Sequence, residues 1–95
     1  MVKQGEYNIN LPIDEINYIV SEGNYLLFYT DQQVYKSRST IKQILEDISD
    51  STFAQVHRAY VVNKSKIEKY NQKCLVIKNT KIPISKSYME NAERL

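Results

Sequence analysis

Ninety-five residues with 42% hydrophobic content, two glycines and two prolines suit one ordered globular domain over 1–95 and exclude a disordered tail. The single cysteine excludes an internal disulfide, and no Cys/His cluster surrounds it that would suit zinc or another metal. The net charge of +2 conceals a split: residues 1–50 carry four Lys/Arg against eight acids, and residues 51–95 carry nine against three, which suggests a polyanion-binding face in the second half.

In chain order, residues 3–9 and 16–22 are predicted as short strands, with Pro12 and two acids between them marking a connector or a single helical turn. NYIVSEG ends at Gly23, Asn24 follows at the tip, and YLLFYT (25–30) reads as an aromatic-rich strand. Asp31-Gln32 turns the chain so that QVYK (33–36) pairs back as a hairpin. The tyrosines on these strands suit half-buried pleated surfaces better than stacking on bases.

One helix is well marked. Thr40 and Gln43 match a capping box, and Ile41, Ile44, Leu45 and Ile48 recur at helical spacing, leaving Lys42, Glu46 and Asp47 for solvent. Phe53–Val56 then leads into His57-Arg58, with Tyr60–Val62 apolar beyond it. A polar pair held between apolar anchors is a stronger candidate for function than a charge on a loose loop. KIEKYN (66–71), KCLVIKN (73–79) and TKIPIS (80–85) read as three further strands, with Cys74 as a buried small hydrophobe. Pro83 has no N–H to donate, so its strand belongs at an edge or a terminus. Ser87 and Glu90 match a second capping box, and Tyr88, Ala92 and Leu95 share a face, which predicts a short closing helix. Lys86 just before it opposes the helix dipole, while the neighbouring serines and free N–H groups suit a phosphate. The sum is six to eight short strands with two short helices, an all-β class with helical additions.

Catalysis has little to build on. His57 is the single histidine, without an evident nucleophile and orienting acid, and no Gly-rich phosphate loop exists. Binding is better served. Arg58 offers a planar fork of donors for phosphate or a guanine edge. Lys64, Lys66 and Lys69 follow and suit a charged backbone, and Asn24 presents a donor and an acceptor at a strand tip. No apolar run approaches the ~18 residues of a membrane span, and the N-terminus lacks the apolar core of a signal peptide, so a cytoplasmic location is expected.

HRAYVVN followed by KIEKY and IPISKSY, with NYIVSEGNYLLFYT upstream, closely resembles the LytTR-type DNA-binding domain, from about Tyr7 to Leu95 and in the family's order. The resemblance implies a mostly β fold: an elongated set of short antiparallel strands in three small sheets, with two short helices. It implies sequence-specific binding of double-stranded promoter DNA by a bacterial response regulator of a two-component system, with loops entering successive major grooves at imperfect direct repeats and a homodimer on DNA as an option. Carried over by motif position, Asn24 and Lys86 read bases, Arg58 holds phosphate and His57 supports that loop. Two positions depart from the family pattern. Ala59 stands where many members have Ser, and Lys86 where several have Arg, which removes a hydroxyl and a bidentate fork. No cofactor is implied, and the receiver domain that usually precedes such a module is not within these residues, so the activating signal is not legible; Met1 taken as an added start makes the chain an excised domain. Two other classes fit the same tyrosine-rich strands: a protein-interaction or dimerisation β-module acting through exposed edges, and a single-stranded RNA binder.

Overall fold

The computed structural model describes residues 2–4, 6–48 and 52–88. Among the described residues, ten short strands fall into three antiparallel groups. A five-stranded sheet has the order β5-β4-β3-β7-β6, where β3 is Tyr18–Glu22, β4 Tyr25–Tyr29, β5 Val34–Arg38, β6 Phe53–His57 and β7 Tyr60–Asn63. A three-stranded sheet has the order β10-β9-β8, built from β8 (Lys69–Tyr70), β9 (Cys74–Ile77) and β10 (Thr80–Pro83). A ribbon pairs β1 (Val2–Gln4) with β2 (Tyr7–Ile9). The expected mostly antiparallel β class is therefore observed, in sheets of unequal size. The body is elongated, 40 × 24 × 23 Å.

The five-stranded sheet is the middle layer, and its residue alternation explains why. Along β3, Ile19 points to one face, while Tyr18 and Val20 point to the other. On the first face Ile19, Leu26, Phe28, Phe53 and Val61 meet Ile41 and Ile44 of α1 (Ile41–Asp47) and its C-cap Ile48, with Leu45 partly buried beside them. On the second face Tyr18, Val56 and Val62 meet Leu75, Ile77 and Ile82 of the three-stranded sheet. Tyr18 stacks on Tyr29 with ring centroids 4.5 Å apart, and burial raises its phenol pKa. A central strand apolar on both faces reads as a continuous hydrophobic run, as YIV does.

The helix starts as predicted, with Thr40 Oγ1 accepting from the Gln43 backbone N–H at 3.1 Å. The Gln43 side chain runs along the helix, its Nε2 donating to Asp47 one turn on at 3.2 Å. Three further expectations are corrected, and a fourth lies mostly outside the described residues. Residues 3–9 are not one strand, since β1 and β2 fold back on each other with Gln4 opposite Tyr7. Residues 66–71 hold only the two-residue β8, because Asn63 caps a 3-10 turn over Lys64–Lys66 by accepting from the Ser65 N–H. Cys74 is half-buried at the outset of β9, not fully buried. At the C-terminal end a 3-10 turn spans Lys86–Tyr88, while Glu90, Ala92 and Leu95 of the expected helix lie outside the described residues. Pro83 does lie on an edge strand, opposite Cys74.

Two hairpin turns have chemistry that matters below. Glu22 pairs with Tyr25, so Gly23-Asn24 is a two-residue turn with positive φ (+61°) at its first position only, as in type II′. Nothing lies within 4 Å of a Cβ built on Gly23. Gly23→Ala is therefore expected to cost only the torsional term, about 1–2 kcal/mol, seen as a lower urea midpoint with an unchanged m-value. The second turn, Lys78-Asn79, has positive φ at both positions (51° and 63°), the type I′ pattern, and joins β9 to β10.

Candidate nucleic-acid interface

Strand direction decides which turns share an end of the molecule. β3 runs toward Glu22 and pairs antiparallel with both β4 and β7, with Val20 opposite Tyr60. The Gly23-Asn24 turn, the Arg58-Ala59 turn and the Arg38 end of β5 consequently lie at one end of the five-stranded sheet. The Ser21 N–H donates to the Ala59 carbonyl at 2.8 Å, locking the second turn against β3.

His57 and Arg58 differ in task. β6 carries a register irregularity between Gln55 and His57, the mark of a bulge that re-aims the chain beside a turn. His57 Nδ1 accepts from the Ala59 N–H at 3.1 Å, and its ring meets Tyr60 edge-on at 5.4 Å. Its acceptor is thereby used inside the turn and its ring is half-buried, so His57 braces the loop. Arg58, at the apex of that loop, is exposed.

Lys86 arrives at the same end from the other sheet. The Ser85 N–H donates to the Val56 carbonyl in the bulged segment at 2.8 Å, and the Ile84 N–H donates to the Lys73 carbonyl at 2.9 Å. Those bonds hold the Lys86–Tyr88 turn against β6 with Lys86 exposed. They also bring in Lys73, which the sequence reading did not single out. Lys73 is fixed by an Asx turn in which Asn71 Oδ1 accepts from the Lys73 and Cys74 N–H groups at 2.7 and 2.9 Å.

Lys64 does not join this group. It follows the C-terminal end of β7, half-buried, with its N–H donating to the Thr52 carbonyl at 2.8 Å. That is the opposite end of the sheet from Asn24, across strands of roughly 17 Å. The same far end holds a polar junction: Asn17 Nδ2 donates to Asp31 at 2.9 Å, and Lys78 Nζ lies 3.6 Å from the same carboxylate. The Asn17 bond is the main reason that the Asp31 pKa is held down.

Lys36 and Arg38 on β5 were also not singled out. Tyr25 pairs with Arg38 and Leu27 with Lys36, so both cations share a face with Tyr25 at the Asn24 end. Their signal was available in the alternation V-Y-K-S-R, which puts Lys36 and Arg38 on one face of a strand.

The family model described as the LytTr DNA-binding domain matches residues 6–95. The chain belongs to that family. The sensory transduction protein LytT of Enterococcus faecalis is 35% identical over 94 residues, covering 92% of this chain and 39% of that protein. An uncharacterized response regulatory protein of Vibrio cholerae is 33% identical over 70 residues, 70% of this chain and 27% of its own length. This LytTR domain thus spans well under half of the curated relatives it matches. A LytTr DNA-binding domain of a DNA response regulator from Bacillus cereus superposes with a TM-score of 0.82 at 16% identity, covering 98% of this chain and 91% of that one, a likeness of fold.

Proposed function

We propose that this LytTR domain binds double-stranded promoter DNA sequence-specifically, as the output module of a cytoplasmic bacterial transcription regulator that also carries a receiver domain. Its loops enter successive major grooves, and imperfect direct repeats recruit two copies. The observation that carries this reading is the convergence of exposed Asn24, Arg58 and Lys86 at one end, through the Ser21–Ala59 and Ser85–Val56 hydrogen bonds.

In this reading Asn24 and Lys86 contact base edges, Arg58 grips phosphate, and His57 holds the Arg58 loop. Lys64, at the far end, is left a separate backbone contact. Selection from a random duplex library is expected to enrich a direct repeat. Affinity is expected to fall linearly on a log–log plot against salt, by about 0.9 for each phosphate neutralised. A library without enrichment, or a flat salt response, would overturn the proposal.

A further inference from the structure

The exposed Tyr25 corner of the five-stranded sheet, beside the β1–β2 ribbon that packs on β5, carries a second cationic feature on the side remote from Lys86. Tyr18, Tyr29 and Tyr60 on the second face are packed against the three-stranded sheet, whereas Tyr25 belongs to neither core and is 41% exposed. Next to it, Lys36 Nζ stands 4.5 Å from the centroid of the Tyr25 ring. The ring's negative face holds the ammonium in place without neutralising it, so less side-chain entropy is lost when an anion arrives. Arg38 lies directly opposite Tyr25 across the β4–β5 ladder and is exposed. Among the described residues neither cation meets a carboxylate, and the ion pair that does form, Lys78 with Asp31, lies at the other end. Side chains two apart on a strand face are about 7 Å apart, so Lys36 and Arg38 reach separate anionic groups. The strand order puts β5 at one edge and β6, which holds the Lys86 turn, at the other.

We propose that Lys36 and Arg38, with Tyr25 as platform, form a second phosphate clamp that grips the duplex backbone on the flank of the Asn24 turn away from Lys86. The clamp rests on the reading that this domain binds duplex DNA. It lengthens the footprint beyond the three turns and balances the Arg58–Lys86 side, so that Asn24 is held from both flanks. Glu22 is the local counterweight. It pairs with Tyr25 from the β3 side, in the same row as Arg38 and about 10 Å from it. Glu22 is about one Debye length (~10 Å at 0.1 M salt) from the clamp and weakens its field at low salt.

The test titrates wild type, Lys36→Gln/Arg38→Gln, Glu22→Gln and Arg58→Ala with a selected duplex and a random-sequence duplex over a salt series, with hydroxyl-radical footprints of each complex. The double variant is expected to lose affinity for both duplexes by the same factor. Its salt slope should fall by about 2, and protection should disappear on the Asn24-side flank alone. Lys36→Arg/Arg38→Lys should restore all three, and Glu22→Gln should tighten both duplexes. A double variant with unchanged slope and footprint, while Arg58→Ala still weakens binding, overturns the clamp. Wild type that binds neither duplex overturns the DNA reading, and the clamp with it.

Discussion

Asn63→Leu is expected to lower the unfolding free energy by roughly 1–3 kcal/mol, the largest stability loss argued for this domain. Asn63 ends β7 with 1% of its surface exposed, and both its amide nitrogen and its amide oxygen are hydrogen-bonded. Its Nδ2 donates to the Ile16 carbonyl at 2.9 Å, and its Oδ1 accepts from the Ser65 N–H at 3.0 Å and from the Ser65 hydroxyl at 2.6 Å. Leucine has nearly the right volume but no polar atom. It strands the Ile16 carbonyl, next to a residue only 2% exposed, where water cannot replace the lost donor. The Ser65 groups are at the surface and recover with solvent, so the carbonyl dominates the loss. Asn63→Asp tests this partition. It keeps the acceptor toward Ser65 but faces the Ile16 carbonyl with an oxygen, so it should be at least as damaging as Leu. Urea unfolding should show a lower midpoint at constant m, with duplex affinity retained well below the transition. A loss under about 0.5 kcal/mol, the range of ordinary surface changes, would show that the site relaxes and that the bridge between β7 and residue 16 matters little.

Asn63 also illustrates what the residues disclosed and what they withheld. As the last letter of HRAYVVN it helped to mark the family, yet nothing local shows that its partner lies 47 positions upstream. Elements set by short-range physics were legible. The α1 stripe, the Thr40 cap, the turn at Gly23-Asn24 and the edge position of Pro83 all follow from periodicity or backbone chemistry. Where two local options compete, pattern reading failed. KIEKYN offers only Ile67 as an apolar residue before its tyrosine, and the Asn63 cap draws the chain into a 3-10 turn before a strand can start. The Gln43 side chain donates along the helix to Asp47, a pairing that the capping-box spacing does not disclose. Site residues were legible one by one but not as a group, because their grouping depends on the β3–β7 register. That register puts Lys64 at the wrong end, while the Ser85–Val56 and Ile84–Lys73 hydrogen bonds bring Lys73 to the right one. Counting charge by chain halves hid Lys36 and Arg38, since β5 lies in the acidic half and faces the same end as Arg58.

Asn24→Ala and Lys86→Ala are expected to relax sequence preference by about 1–3 kcal/mol each, whereas Arg58→Ala should weaken cognate and random duplexes alike. The separation follows from what each side chain offers. The Asn24 amide pairs a donor with an acceptor, which complements the N7 and N6 of adenine in the major groove. The tight turn that presents it has Gly23 to absorb the positive φ, so Asn24 is held rigidly at the tip. Lys86 is an ammonium on a flexible stem, able to reach a guanine acceptor but without the planar fork that reads two atoms together. Lys86→Arg should therefore sharpen guanine preference at its position instead of merely preserving it. Arg58 sits on a loop tied down by His57 and by Ser21, a geometry that fixes register on a backbone. Its loss should lower the salt slope by about 1 and leave the ratio of cognate to random affinity unchanged. Binding curves for the four variants on both duplexes decide the matter. If Asn24→Ala costs no more on the cognate site than on random DNA, Asn24 touches backbone and base reading must be sought elsewhere. If Arg58→Ala collapses the ratio, the arginine fork reads a guanine directly, and the loop braced by His57 is a third reader.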